Sequence, residues 1–304
     1  MNWDRVERLI GSDNLQRLHD KRVAIIGLGS GGGFVALSLA MSGVGKFVLV
    51  DDDTLESKNI VRHVADSRYV GRPKAEVVAE LIRQRNPHAD VEVLVGRLEQ
   101  HLEVLERVDL VISGVDGEGP KYTLNQACLQ HGLTAVYAGV YERGEGGDVV
   151  VIRPYNGPCY ACWAAELREG LAVSNVDGDA ELDYGMIGPE GTLEAEPGLW
   201  LHVTRIASAQ ADIALNELLM GSSAYKEMPA NTVIMANTSM EILAGQISQP
   251  YTAVWVDIER DPNCLVCGDA LRNELSAETQ PELSLDDLMH STGITLEENA
   301  EEQE

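Results

Sequence analysis

The apolar positions fall into two alternating textures along the first half of the chain. RVAIIG (22–27) and KFVLVD (46–51) are short β-branched runs, and FVALSLAMSG (34–43) between them has a helical texture. Uninterrupted apolar runs of strand length belong to strands covered on both faces, so the three predict a β-α-β unit within a parallel sheet. Residues 72–86 (RPKAEVVAELIRQRN) put Val77, Val78, Leu81 and Ile82 on one helical stripe. VEVLVG (91–96), DLVISG (109–114) and TAVYAG (134–139) predict three more strands. Alternation sustained to about residue 140 defines a doubly wound α/β half.

After that the texture changes. GGDVVVIRP (146–154), NTVIMAN (231–237) and YTAVWVDIE (251–259) predict strands, and residues 199–220 a long helix. These strands are expected to extend the same sheet, antiparallel to it, rather than to build a separate domain. Residues 170–198 are rich in Gly, Asp, Glu and Pro without sustained periodicity, the pattern of a mobile loop. From Glu274 to Glu304 there are ten acidic residues and no Lys or Arg, which predicts a disordered tail over 271–304, either solubilising or docking.

Composition narrows the function. A hydrophobic content of 44% suits a soluble globular protein, but the net charge of −26 repels nucleic acid and anionic membranes at long range. No apolar run approaches a membrane span, and MNWDRVERLI lacks the features of a secretory signal, so a cytoplasmic protein is expected. In that compartment two C-x-x-C pairs, Cys159/Cys162 and Cys264/Cys267, favour a metal over disulfides. Two such pairs on strand-end turns supply four thiolates, the ligand set of a structural, tetrahedral Zn²⁺ site. Cys128, in YTLNQACLQHG, is expected to be a buried core thiol.

The strongest local signal is GLGSGGG (27–33), between a strand and a helix. Gly27, Gly29, Gly31 and Gly32 suit a backbone that approaches phosphate at a helix N-terminus, and Asp51 ends the next strand, where an acid binds ribose. Taken alone, these features equally describe an NAD-dependent dehydrogenase. The next segment separates the two readings, because Asn59, Arg62 and Lys74 lie just beyond the ribose acid. A bound diphosphate held by backbone amides needs no such cluster, whereas a triphosphate being cleaved needs cations for its developing charge. Asp116, at the end of DLVISGVDG, is placed for Mg²⁺.

In order, G-x-G-x-G-G at 27–32, the D-x-D of Asp51 and Asp53, N-x-x-R at 59–62, V-G-x-P-K at 70–74, Asp116 and both cysteine pairs resemble the MoeB/ThiF/HesA family, adenylating enzymes related to ubiquitin-activating enzymes. The resemblance covers roughly residues 5–270. It implies a Rossmann-like adenylation domain over 1–270, with a helical segment at 1–20, a nucleotide-binding half at 21–140 and a substrate and zinc half at 141–270. It also implies Asp51 on the ATP ribose, Asn59, Arg62 and Lys74 on the phosphates, and Asp116 on Mg²⁺. A homodimer is implied, in which Arg5 or Arg8 acts in the partner's site. The implied reaction joins AMP to the C-terminal carboxylate of a ubiquitin-like or sulfur-carrier protein and releases pyrophosphate.

The chain also departs from the family. Residues 163–198 contain no cysteine, so the basis for thioester transfer is missing and the MoeB type, which stops at the adenylate, fits better. His63 follows the Arg of N-x-x-R, where Gln is usual, and reads as a phosphate or substrate contact or as a surface substitution, the latter preferred. Two alternatives stay open: adenylation of a small peptide or a tRNA-bound carboxylate, and a non-catalytic nucleotide-binding scaffold.

Overall fold

The computed structural model describes residues 2–172, 198–243 and 245–269. The predicted 170–198 loop falls almost wholly, and the 271–304 tail entirely, outside the described residues. The chain divides into two compact units, Met1–Asp261 and one beginning at Pro262.

The first unit opens with α1 (Asp4–Ile10) and α2 (Ser12–Asp20). Next come β1 (Arg22–Ile26), α3 (Ser30–Met41), β2 (Lys46–Asp51), α4 (Lys74–Arg85), β3 (Asp90–Val95), β4 (Leu110–Ser113), α5 (Glu118–His131) and β5 (Ala135–Val140). The second half adds β6 (Gly146–Ile152), α6 (Tyr160–Ala172), α7 (Trp200–Leu218), β7 (Thr232–Ala236), β8 (Met240–Leu243), β9 (Gln246–Ser248) and β10 (Ala253–Val256).

One eight-stranded sheet runs in the order β10-β7-β6-β5-β4-β1-β2-β3, with β8 and β9 forming a separate hairpin. Pairing is parallel from β3 to β5 and antiparallel from β5 through β6 and β7 to β10. The expected extension of a parallel sheet by antiparallel strands is therefore found. Period-2 geometry sends Val23 and Ile25 of β1 and Phe47 and Leu49 of β2 to one face, where α3, α4 and α7 cover them. Ala24, Ile26, Val48 and Val50 go to the other face, under α5 and α6. Burial on both faces is why these strands read as unbroken apolar runs. Two boundaries differ from expectation: α3 begins at Ser30 because the glycines themselves form its first turn, and a helix, α6, begins within the first cysteine pair.

Candidate functional site

The connections through α3 and α4 carry the chain from β1 to β2 to β3, after which it returns to the other side of β1 for β4. The crevice at the carboxyl ends of β1 and β4 is thus a topological switch point, the ligand position of open α/β sheets. Three glycines interlock there. Gly27 has φ +85°, and a Cβ on it would lie 2.7 Å from the carbonyl carbon of Gly114. A Cβ on Gly32 would lie 1.9 Å from the Gly27 oxygen, and one on Gly114 2.2 Å from that same oxygen. Backbone contact of this closeness admits only glycine. Gly29, the N-cap of α3, has nothing within 4 Å of a built Cβ, and Gly31 meets only Val203 Cγ1 at 4.0 Å. Gly27 and Gly32 therefore set the turn, while Gly29 and Gly31 leave space before a helix N-terminus with no side-chain cap, an end that favours anions.

Asp51 ends β2 with 8% exposure. One carboxylate oxygen accepts the Leu28 N–H at 2.6 Å and the other the Asp53 N–H at 2.8 Å. Burial raises its pKa above the ordinary carboxylate value, although both N–H bonds and Lys74 act in the opposite direction. Residues 53–55 pair with 71–74 through Leu55 N–H to Arg72 O, Gly71 N–H to Leu55 O and Lys74 N–H to Asp53 O. That pairing starts α4 beside the D-x-D, and the Lys74 ammonium meets Asp53 Oδ2 at 2.5 Å. In that pair Lys74 is mostly buried and Asp53 mostly exposed.

Asn59 and Arg62 lie on a 3-10 turn, Ser57–Arg62. Asn59 Oδ1 accepts the Glu56 N–H at 2.9 Å, which closes the turn. Half-buried Arg62 makes no hydrogen bond or ion pair among the described residues. His63 corrects its sequence reading. It is not a surface substitution but a buried ring, 8% exposed, against the glycine turn. Asp116 is exposed in the segment after β4, without a partner among the described residues. At the N-terminus Arg8 pairs with Asp4 of its own helix, and Arg5 has no such pairing there.

Cys128 is buried in the core, and desolvation pushes its thiol up to about 12, which makes it inert. Cys159 and Cys162 are buried, with Sγ atoms 3.8 Å apart. Contrary to expectation this pair straddles the start of α6 instead of a strand-end turn, and Tyr160 N–H anchors that start on Asn125 Oδ1 at 2.9 Å. In the second unit Val266 N–H points to Cys264 Sγ at 3.4 Å, and Gly268 N–H bonds Cys264 O. Each pair supplies two thiolates of the kind that hold a metal ion. A tetrahedron with Zn–S bonds of about 2.3 Å has edges of about 3.8 Å, which the Cys159–Cys162 separation matches.

Gln210 of α7 escaped the sequence reading. Its buried amide donates to Ser113 O on β4 and Val136 O on β5, both at 2.9 Å. A lone Gln in a helical run gives no signal of such a role.

A glycine turn, a buried strand-end acid and a helix-start lysine meet at the switch point, the ligand crevice of a doubly wound α/β protein. The ThiF family model matches residues 4–266, so the chain belongs to the ThiF family. It is 34% identical over 163 residues to the SAMP-activating enzyme E1 of Haloferax volcanii, a match spanning 53% of this chain and 59% of that enzyme. It is 32% identical over 190 residues to the sulfur carrier protein ThiS adenylyltransferase of Escherichia coli, covering 61% of this chain and 75% of that one. The crystal structure of E. coli MccB with ATP shares the fold, with a TM-score of 0.57 and 19% identity over 84% of this chain and 69% of that one. No described helix is long and apolar enough to cross a membrane.

Proposed function

We propose that the protein uses ATP to adenylate the C-terminal carboxylate of a ubiquitin-like or sulfur-carrier protein, yielding an acyl-adenylate and pyrophosphate. One observation carries the reading: open space at Gly29 and Gly31 lies before a helix N-terminus, with buried Asp51 and fixed Lys74 at the adjoining strand end. Membership of the ThiF family and relatives named for activating such carriers support it.

Asp51 would hold the ribose hydroxyls, since each of its oxygens accepts one backbone N–H and keeps further acceptor capacity. Asn59, Arg62 and Lys74 would contact the phosphates. Asp116 would hold Mg²⁺, a hard cation that adds to the neutralisation of phosphate charge. A carboxylate oxygen of the carrier attacks the α-phosphorus, and the bond to the bridging oxygen breaks, its electron pair leaving with pyrophosphate. Positioning and preorganised charge supply the acceleration. With Cys128 inert, the reaction of this chain ends at the adenylate.

The four cysteines would hold Zn²⁺ as a structural clip. The active form would be a cytoplasmic homodimer: α1 buries none of its residues, and Arg5 is free of its own helix's acids to enter the partner's site, whereas Arg8 is engaged.

The test is pyrophosphate exchange and intact-mass analysis with MgATP and the small proteins encoded nearby that end in a free glycine. A carrier-dependent exchange and a carrier heavier by one AMP are expected. Adenylation of short peptides alone, or of none of the candidates, overturns the carrier reading.

A further inference from the structure

Leu28, wholly buried, has both halves of its peptide environment held by side chains from elsewhere. Its N–H donates to Asp51 Oδ2 at 2.6 Å, and its carbonyl oxygen lies 2.9 Å from His63 Nε2. The other ring nitrogen of His63, Nδ1, accepts the Ala65 N–H at 3.0 Å. A backbone N–H can only donate, so Nδ1 carries no proton. Nε2 therefore bears the hydrogen and donates to Leu28. The ring also sits 3.6 Å from where a Cβ on Gly33 would be, inside the first turns of α3. Arg62 precedes it directly and has no hydrogen bond or ion pair of its own among the described residues.

We infer that His63 is a positioning residue for the phosphate end of the site: its imidazole fastens the Arg62 segment to the glycine turn through the Leu28 carbonyl, opposite the Asp51 carboxylate that fastens the ribose end. This rests on the ATP reading above. Arg62 has a long, entropically costly side chain, and a backbone fixed one residue away limits where its guanidinium can go. Without the imidazole, a buried carbonyl loses its donor, the segment relaxes, and ATP must restore the arrangement on binding. Gln can offer a donor amide in place of Nε2–H, so it is the conservative rescue.

Calorimetric titration of the full-length protein with MgATP and with AMP, alongside thermal melts, tests this. His63→Ala is expected to weaken MgATP binding by about tenfold or more, AMP, which has one phosphate, by less than about threefold, and His63→Gln to recover most of the loss. In wild type, ¹⁵N spectra should show His63 protonated at Nε2 alone, and the Ala65 amide should exchange slowly and accelerate in His63→Ala. Equal losses for ATP and AMP, no loss, or a folded His63→Gln that fails to rescue would each overturn the role of His63 alone. A wild-type chain that binds neither nucleotide would overturn the ATP reading as well. If His63→Ala does not fold, His63→Gln decides: near-native ATP affinity supports the role, and a tenfold loss with native melting overturns it.

Discussion

The ends of β1 and β4 meet at the site through their backbones, while the antiparallel strands add to their ladders polar side-chain ties from distant stretches. In the parallel half the close contacts are glycine on carbonyl, Gly27 with Gly114 and Gly32 with Gly27. Gln210 bridges Ser113 and Val136 at the last parallel junction, and in the antiparallel half glycine also meets carbonyl, Gly147 with Gly139, but there Arg153 clasps Glu217 at 2.7 and 2.9 Å and Trp163 Nε1 bonds Thr232 at 3.1 Å. The first arrangement presents main-chain donors to a ligand and leaves no room for variation. The second fixes a scaffold with groups that any well-placed donor and acceptor could replace.

Substitutions can break this contrast. Gly32→Ala should do the most damage, because its Cβ cannot fit 1.9 Å from a carbonyl oxygen; a loss of more than about 4 kcal/mol in denaturant unfolding, with ATP binding abolished, is expected. Gly29→Ala, which meets nothing, should keep stability within about 0.5 kcal/mol and still weaken nucleotide binding. Next in size, Arg62→Ala and Lys74→Ala should lower pyrophosphate exchange on the order of 10²–10³ while melting like wild type. Near-normal exchange in either would remove that residue from the site.

In the antiparallel half, Glu217→Ala should cost about 3 kcal/mol by equilibrium unfolding, the lower end for a broken buried pair because Arg153 still reaches water. Exchange at saturating ATP should stay close to wild type, and a large kinetic effect would erase the distinction between the halves. The smallest effect concerns pH. Burial lowers the His63 pKa in the folded state, so below the unfolded value of about 6.5 the unfolded chain takes up a proton that the folded chain resists. The His63 contribution is fully present above that value and is lost progressively as pH falls from it through the lower folded-state pKa. Relative to His63→Gln, the wild type should therefore lose stability on acidification, by at most about 1.4 kcal/mol per pH unit, in paired melts.

The same contrast explains what the sequence disclosed. β-branched runs announced β1, β2 and β4 because both faces of each are covered, and GLGSGGG announced a turn that only glycine can make. The antiparallel direction of β6, β7 and β10 was legible as a change of texture. Its ties, and the bridge made by Gln210, were not, since Arg153 and Glu217 lie 64 residues apart and Gln210 and Ser113 97 apart, with no periodicity to connect them. His63 was misjudged for a related reason: a polar residue in a charged stretch reads as solvated, and its burial depends on a carbonyl 35 residues upstream. The start of α6 hid behind the spacing of Cys159 and Cys162, which a helix's first turn satisfies as well as a strand-end turn does.

Gln210 has a further consequence. The β4–β5 ladder holds only the pairs Val111–Ala135 and Ile112–Val136, fewer than any other parallel junction in the sheet. The Gln210 amide adds a side-chain rung between these two strands. Sub-global opening of the protein should start along this seam, directly beside the crevice, so a nucleotide resting there would act as a brake on the slowest-exchanging amides of both halves.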